Sequence, residues 1–216
     1  MQRKYHFQHL MGGLCAVALL LLFTACQWTS GPQNTTSTPT PLPTPTFTPT
    51  PTPSPTPIVA TLKTYTGNGY TIDYPKGWTA SIGSDNIVSF TDPTGLLSMT
   101  ITVQSNAQGA TGSTDLVDNA LQVFKTQASN FQQLNVASTA TIGSETWSQG
   151  AATGDVPVTG QVAPVTMKNV VIADNHPTAS STTMAYTISY SAGVQDFHLY
   201  DQGYFQPMLQ SFAFTS

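Results

Sequence analysis

The chain has 216 residues, of which only 7% are charged, and a formal net charge of −4 at pH 7. If residues 1–25 are removed, Lys63, Lys76, Lys125 and Lys168 face every acidic side chain and Arg3, the only arginine, is gone. That balance argues against nucleic acid as a partner, and without a guanidinium fork the capture of an organic anion is weakened.

The N-terminus places Arg3 and Lys4 before an apolar run from Leu10 to Phe23, followed by Thr24-Ala25-Cys26 and polar Gln27. This is a three-part export signal. Its apolar part, about 14 to 16 residues, falls short of the roughly 20 needed to span a bilayer core. The segment Leu22-Phe23-Thr24-Ala25-Cys26 resembles the lipobox of bacterial lipoproteins, with Phe23 where Leu is usual. The resemblance implies that Cys26 is acylated on sulfur, that the bond after Ala25 is cut, and that Cys26 becomes the new N-terminus at the membrane. Phe23 also counts against an ordinary secretory cut before Cys26, which wants a small side chain there. Cys15 lies in the discarded signal, so Cys26 is left with no disulfide partner. The alternatives are an uncleaved membrane helix and an unmodified free thiol.

Between Thr36 and Pro57 the chain alternates Thr and Pro almost without interruption. Proline at every second position removes backbone donors and fixes φ, which predicts a stiff polyproline-like spacer. About 20 such residues reach roughly 60 Å. The organisation is therefore a signal over 1–25, a lipidated N-terminus and linker over 26–60, and one domain over 61–216.

Within that domain, Tyr70, Ile72 and Tyr74 alternate with Thr71 and Asp73, and a turn at Pro75-Lys76-Gly77 leads to Trp78, Ala80 and Ile82 on one face. A strand over 86–91 ends at the turn Asp92-Pro93-Thr94-Gly95. Next, Leu97, Met99, Ile101 and Val103 face inward while Ser98, Thr100, Thr102 and Gln104 face out, the habit of an antiparallel sheet with one wet face. A helix follows, capped by Thr114, with Asp115 and Asp118 in its first turn. Its apolar stripe is read as Leu116, Ala120, Val123, Phe124, Phe131 and Leu134. Further strands are expected over 135–141, 145–152, 160–173 and 182–190. Pro207 is expected to start a short terminal helix carrying Met208, Leu209 and Phe212.

Strands grouped before and after a helix, without regular βαβ alternation, predict an α+β fold: an antiparallel sheet flanked by helices. The segments GYTIDYPKGWTAS, NIVSFTDPTGLLSMTITV and YFQPMLQSFAF resemble the beginning and end of PsbP-like domains. That resemblance implies an α/β/α sandwich, usually exported and without catalysis, acting as an assembly or docking partner. No metal-ligand set is matched residue by residue.

The chain carries no G-x-S-x-G elbow, P-loop, G-x-G-x-x-G, H-E-x-x-H, EF-hand loop or paired C-x-x-C. Two Asp-x-His pieces remain, Asp174-Asn175-His176 and Asp196-Phe197-His198. Together they could offer a metal two imidazoles and two carboxylates if the fold converged them; a turn and a surface or capping histidine is the plainer reading. Tyr200, Tyr204 and Phe205 are either a contact patch or core. No catalytic residue, metal ligand or cofactor is assigned. The expectation is a monomeric, membrane-tethered, non-enzymatic domain that binds another protein of the envelope. The alternatives are a small-ligand receptor with a cleft between sheet and helices and, behind it, a hydrolase or metal-dependent enzyme.

Overall fold

A computed structural model describes residues 60–83 and 86–215. The signal, Ala25 and Cys26 of the lipobox, and the Thr/Pro tract lie outside the described residues. The strands are β1 (Leu62–Thr66), β2 (Tyr70–Pro75), β3 (Thr79–Ile82), β4 (Ile87–Thr91), β5 (Ser98–Ser105), β6 (Ser129–Leu134), β7 (Thr139–Ile142), β8 (Glu145–Val156), β9 (Val165–His176), β10 (Met184–Gly193) and β11 (Ala213–Phe214). The helices are α1 (Ser113–Gln127), α2 (Phe197–Tyr200) and α3 (Gln206–Ser211), the last two joined by a π-helical turn over Asp201–Phe205. This is the expected mixed α+β fold, and the paired strands are antiparallel.

A large sheet runs in the order β3-β4-β5-β10-β9-β8-β6, with β7 added to β8, and a small sheet runs β1-β2-β11. The alternation read from the sequence builds the core between them. Ile72, Phe90, Met99, Ile101 and Ile188 are fully buried, packed with Trp147, Phe205 and Met208. On the opposite face of the large sheet, α1 buries Val117, Leu121 and Phe124 against Ala152, Met167, Val171 and Ala173. The helix can come this close because β8 carries glycine on that face. A Cβ at Gly150 would sit 2.8 Å from Val117 Cγ1, and one at Gly154 would sit 2.6 Å from the Ala128 Cβ.

Several expectations are corrected. Helix α1 ends at Gln127, with Ala128 already extended, and Phe131 and Leu134 belong to β6. The buried stripe is Val117, Leu121 and Phe124, while Val123 is 57% exposed. Gly112 takes the cap position without a side-chain bond, Thr114 lies inside the first turn, and Asp118 lies beyond it. Of the residues read as the strand after the Pro75-Lys76-Gly77 turn, Trp78 is buried while Ile82 is 75% exposed. The strand expected at 160 starts at Val165 and continues through Asp174-Asn175-His176, where a turn was expected. Pro207 stands at the start of α3 as expected, but the helical path is already under way from Phe197. The π-helical turn absorbs the change: the amide of Gln206 donates to the carbonyl of Asp201, five residues back, immediately before the ring.

Candidate functional site

The hydroxyl face of the large sheet is where a site forms. Pairing of β5 with β10 sets Ser98 opposite Ser191, Thr100 opposite Ser189 and Thr102 opposite Thr187. Helix α1 lies over β8 and β9, whose small side chains admit it, and leaves these hydroxyls beside it rather than beneath it. The result is an open groove of about 970 Å³, at the upper end of the range of small-molecule sites. Leu116, Ala120 and Val123 form an aliphatic wall facing the hydroxyl floor, and the Asp92–Gly95 turn borders the groove.

Part of the floor is already satisfied. Ser98 Oγ and Ser191 Oγ are 3.1 Å apart, Ser89 Oγ and Thr100 Oγ1 are 2.9 Å apart, and Ser189 Oγ donates to buried Asn169 Oδ1 at 2.8 Å. Among the described residues, the Thr102 and Thr187 hydroxyls line the groove without a protein partner. Asp92 is the one ionisable side chain among the residues that line it. Its carboxylate is engaged by its own turn: Oδ2 accepts from Thr94 N and Oγ1 at 3.1 and 2.5 Å, and Oδ1 accepts from Leu97 N at 2.9 Å. The groove is therefore nearly neutral, with free hydroxyls on one side and methyl groups on the other. Such a surface can meet an uncharged amphipathic group with hydrogen bonds and apolar contact together.

A second cleft of about 830 Å³ adjoins it at Asp92, Pro93 and Thr94 and is bordered by Trp78, Tyr200 and Tyr204. Tyr204 packs on Trp78 with ring centroids 5.5 Å apart. Of the three C-terminal aromatics, Phe205 is core, at 0% exposure, while Tyr200 and Tyr204 are half-buried at the cleft.

The two Asp-x-His pieces do not converge. His176 pairs with Met184 at one end of the β9–β10 hairpin, whereas Asp196 and His198 follow Gly193 at the other end. Ten residues of strand separate the ends by about 30 Å. The fold instead gives Asp174 and His176 a different neighbour, Glu145 at the start of β8, with His176 Nδ1 3.4 Å from Glu145 Oε1. Burial, reinforced by the nearby Glu145 carboxylate, holds the Asp174 carboxyl above its ordinary range. No spacing within the sequence announces Glu145; the pairing of two twelve-residue strands, β8 and β9, delivers it. Among the described residues, no serine hydroxyl is hydrogen-bonded to either His176 or His198.

No family model matches the chain, and no curated protein matches it. Among solved structures, a protein of Bacteroides thetaiotaomicron is similar with a TM-score of 0.42 and 8% identity over 68% of this chain. This chain spans 46% of that protein's length. LpqN of Mycobacterium tuberculosis, involved in cell envelope biogenesis, is similar with a TM-score of 0.41 and 16% identity, over 72% of this chain and 91% of LpqN. The chain folds as an α+β domain with an open, nearly uncharged groove between sheet and helix.

Proposed function

We propose that this protein is a lipid-anchored extracytoplasmic lipoprotein whose α+β domain binds another protein of the cell envelope through the groove beside α1, without catalysing a reaction. The observation that carries the reading is the groove lining. Thr102 and Thr187 offer free hydroxyls opposite Leu116 and Val123, while Asp92, the ionisable group at hand, is occupied by its own turn. That is a surface for recognition, and it brings no nucleophile and base into reach of each other.

Anchoring rests on the lipobox: acyl chains on Cys26 supply the stable membrane attachment that a 14-to-16-residue apolar run does not. The Thr/Pro spacer then holds the groove away from the headgroups, presented by a single copy of the chain. The PsbP-like reading belongs to the same proposal. It is supported by the quoted segments and by a layering in which α1, the large sheet, and the small sheet with α2 and α3 succeed one another.

The test is a photo-crosslinking side chain at position 123, on the exposed part of the wall, with the same group at Ile82 as a control away from the groove. In intact cells, position 123 should give a discrete adduct that position 82 does not. Replacing Thr102 and Thr187 by Val should lower its yield at least tenfold. The same unselective neighbours at both positions would refute the reading. The groove volume favours a second reading, a receptor for a small amphipathic ligand. A compound released from the purified protein, and absent after Val123→Trp, would place it first.

A further inference from the structure

The groove makes no use of the constellation on the other face of the large sheet. Strand alternation sets Glu145 on the side of Trp147, and Asp174 and His176 on the side of Ile172, facing the small sheet. One ligand atom from each of Glu145, Asp174 and His176 lies within 4.8 Å of the other two. An ion held tetrahedrally at about 2.1 Å has ligand atoms about 3.4 Å apart. His176 Nδ1 and Glu145 Oε1 already stand at 3.4 Å.

Two further observations separate this group from an ordinary surface cluster. The His176 ring is stacked on Phe214 at 3.8 Å and 8°, and Phe214 is held in turn against Trp147 and Tyr186. The imidazole plane is thereby fixed before any ion arrives, as a well-formed site requires. In addition, no lysine among the described residues forms an ion pair with either carboxylate, and the basic group that stands beside Glu145 is His176, itself a member of the cluster. His176 and Glu145 keep 34% and 40% side-chain exposure, which leaves an entry path and room for water.

We infer that Glu145, Asp174 and His176 form a site for a divalent transition-metal ion, with zinc as its ion and water completing the coordination. One imidazole nitrogen and two carboxylate oxygens suit a borderline cation, whereas calcium asks for six to eight oxygens. Because the imidazole is stacked on Phe214, the ion would tie the β8–β9 end of the large sheet to the C-terminal strand β11. The site stands independently of what occupies the groove.

The experiment is calorimetric titration of zinc chloride into the full chain in detergent, after chelator treatment, alongside Glu145→Gln, His176→Gln, the double variant and His198→Gln. One equivalent of zinc should bind the parent and His198→Gln alike. Each single variant should weaken binding at least tenfold and the double variant should abolish it. Near-UV circular dichroism from the Trp147–Phe214 pair checks that every variant is folded. A chelator should lower the thermal midpoint of the parent and leave the folded double variant unmoved. Zinc binding undiminished in the double variant, no zinc binding by the parent, or calcium competing as well as zinc would each overturn the assignment.

Discussion

Replacing Gly154 by Ala tests how α1 is seated. The new Cβ would lie 2.6 Å from Ala128 Cβ and 3.3 Å from the Ser129 carbonyl oxygen. Neither neighbour is the free end of a side chain, so the clash moves backbone at the C-terminal end of α1. Overpacking of that kind costs about 1–3 kcal/mol, and the rigid neighbours put it at the upper end. Alanine also relieves the entropic handicap of glycine in a strand, worth about 0.5–1 kcal/mol. The net expectation is a loss of about 2 kcal/mol, or a fall of about 4–8 °C in thermal midpoint for a domain of this size. Gly193→Ala is the control, since a Cβ there meets nothing within 4 Å and its φ lies outside the left-handed region. It should gain about 0.5–1 kcal/mol. Urea unfolding followed by circular dichroism reads both, with an unchanged slope certifying that stability alone has moved. Gly154→Ala as stable as the parent would refute the close seating of the helix.

Burial holds the Asp201 carboxyl above its ordinary range, against the partial relief given by Gln206 and Lys168. The native state therefore binds that proton more tightly than the unfolded chain, and stability falls as pH rises from about the ordinary carboxylate value through the raised one. Asp201→Asn should raise the urea midpoint at pH 7 more than at pH 4; an equal or reversed change would refute the sign. Ile82→Thr, at 75% exposure, should stay within about 0.5 kcal/mol of the parent, while Phe90→Ala, at 0%, should lose about 3–5 kcal/mol by thermal unfolding. Cys26→Ser should leave export intact and abolish membrane retention on fractionation, because the acyl chains and not the apolar run are the expected anchor. Retention unchanged would assign the anchor to an uncleaved helix.

How much of this was legible in the sequence depended on whether the signal was local. The alternations at Tyr70–Tyr74 and Leu97–Val103 need only one strand and a buried face, and they read correctly. The face of α1 did not. Leu116, Ala120, Val123 and Phe124 are as good a stripe as Val117, Leu121 and Phe124, and the choice was made by Gly150 and Gly154 on a strand distant in sequence. Phe131 falls seven residues after Phe124, a spacing that suits a continued helix, and no glycine or proline marks the stop at Gln127. The Asp174-x-His176 piece was visible as a pair of donors, but its third member came from strand pairing and not from the other Asp-x-His piece.

The groove follows from a conflict between the two halves of one sheet face. Over β8 and β9 the side chains are Gly150, Ala152, Val171 and Ala173, which let a helix settle and bury apolar area without stranding a polar group. Over β5 and β10 they are hydroxyls, and drawing α1 across them would seal Thr102 and Thr187 beneath aliphatic side chains. Each hydroxyl so buried without a partner costs about 1–3 kcal/mol. For two hydroxyls that is about 2–6 kcal/mol, which exceeds what burying the exposed 57% of Val123 would return out of the roughly 1.5–3 kcal/mol of a fully buried aliphatic side chain. The helix therefore stops short, Val123 stays exposed, and the unmet hydroxyls remain beside it. A ligand that brought both acceptors and apolar surface would resolve the conflict that the chain alone leaves open, which is the physical reason the proposed binding is placed along this groove.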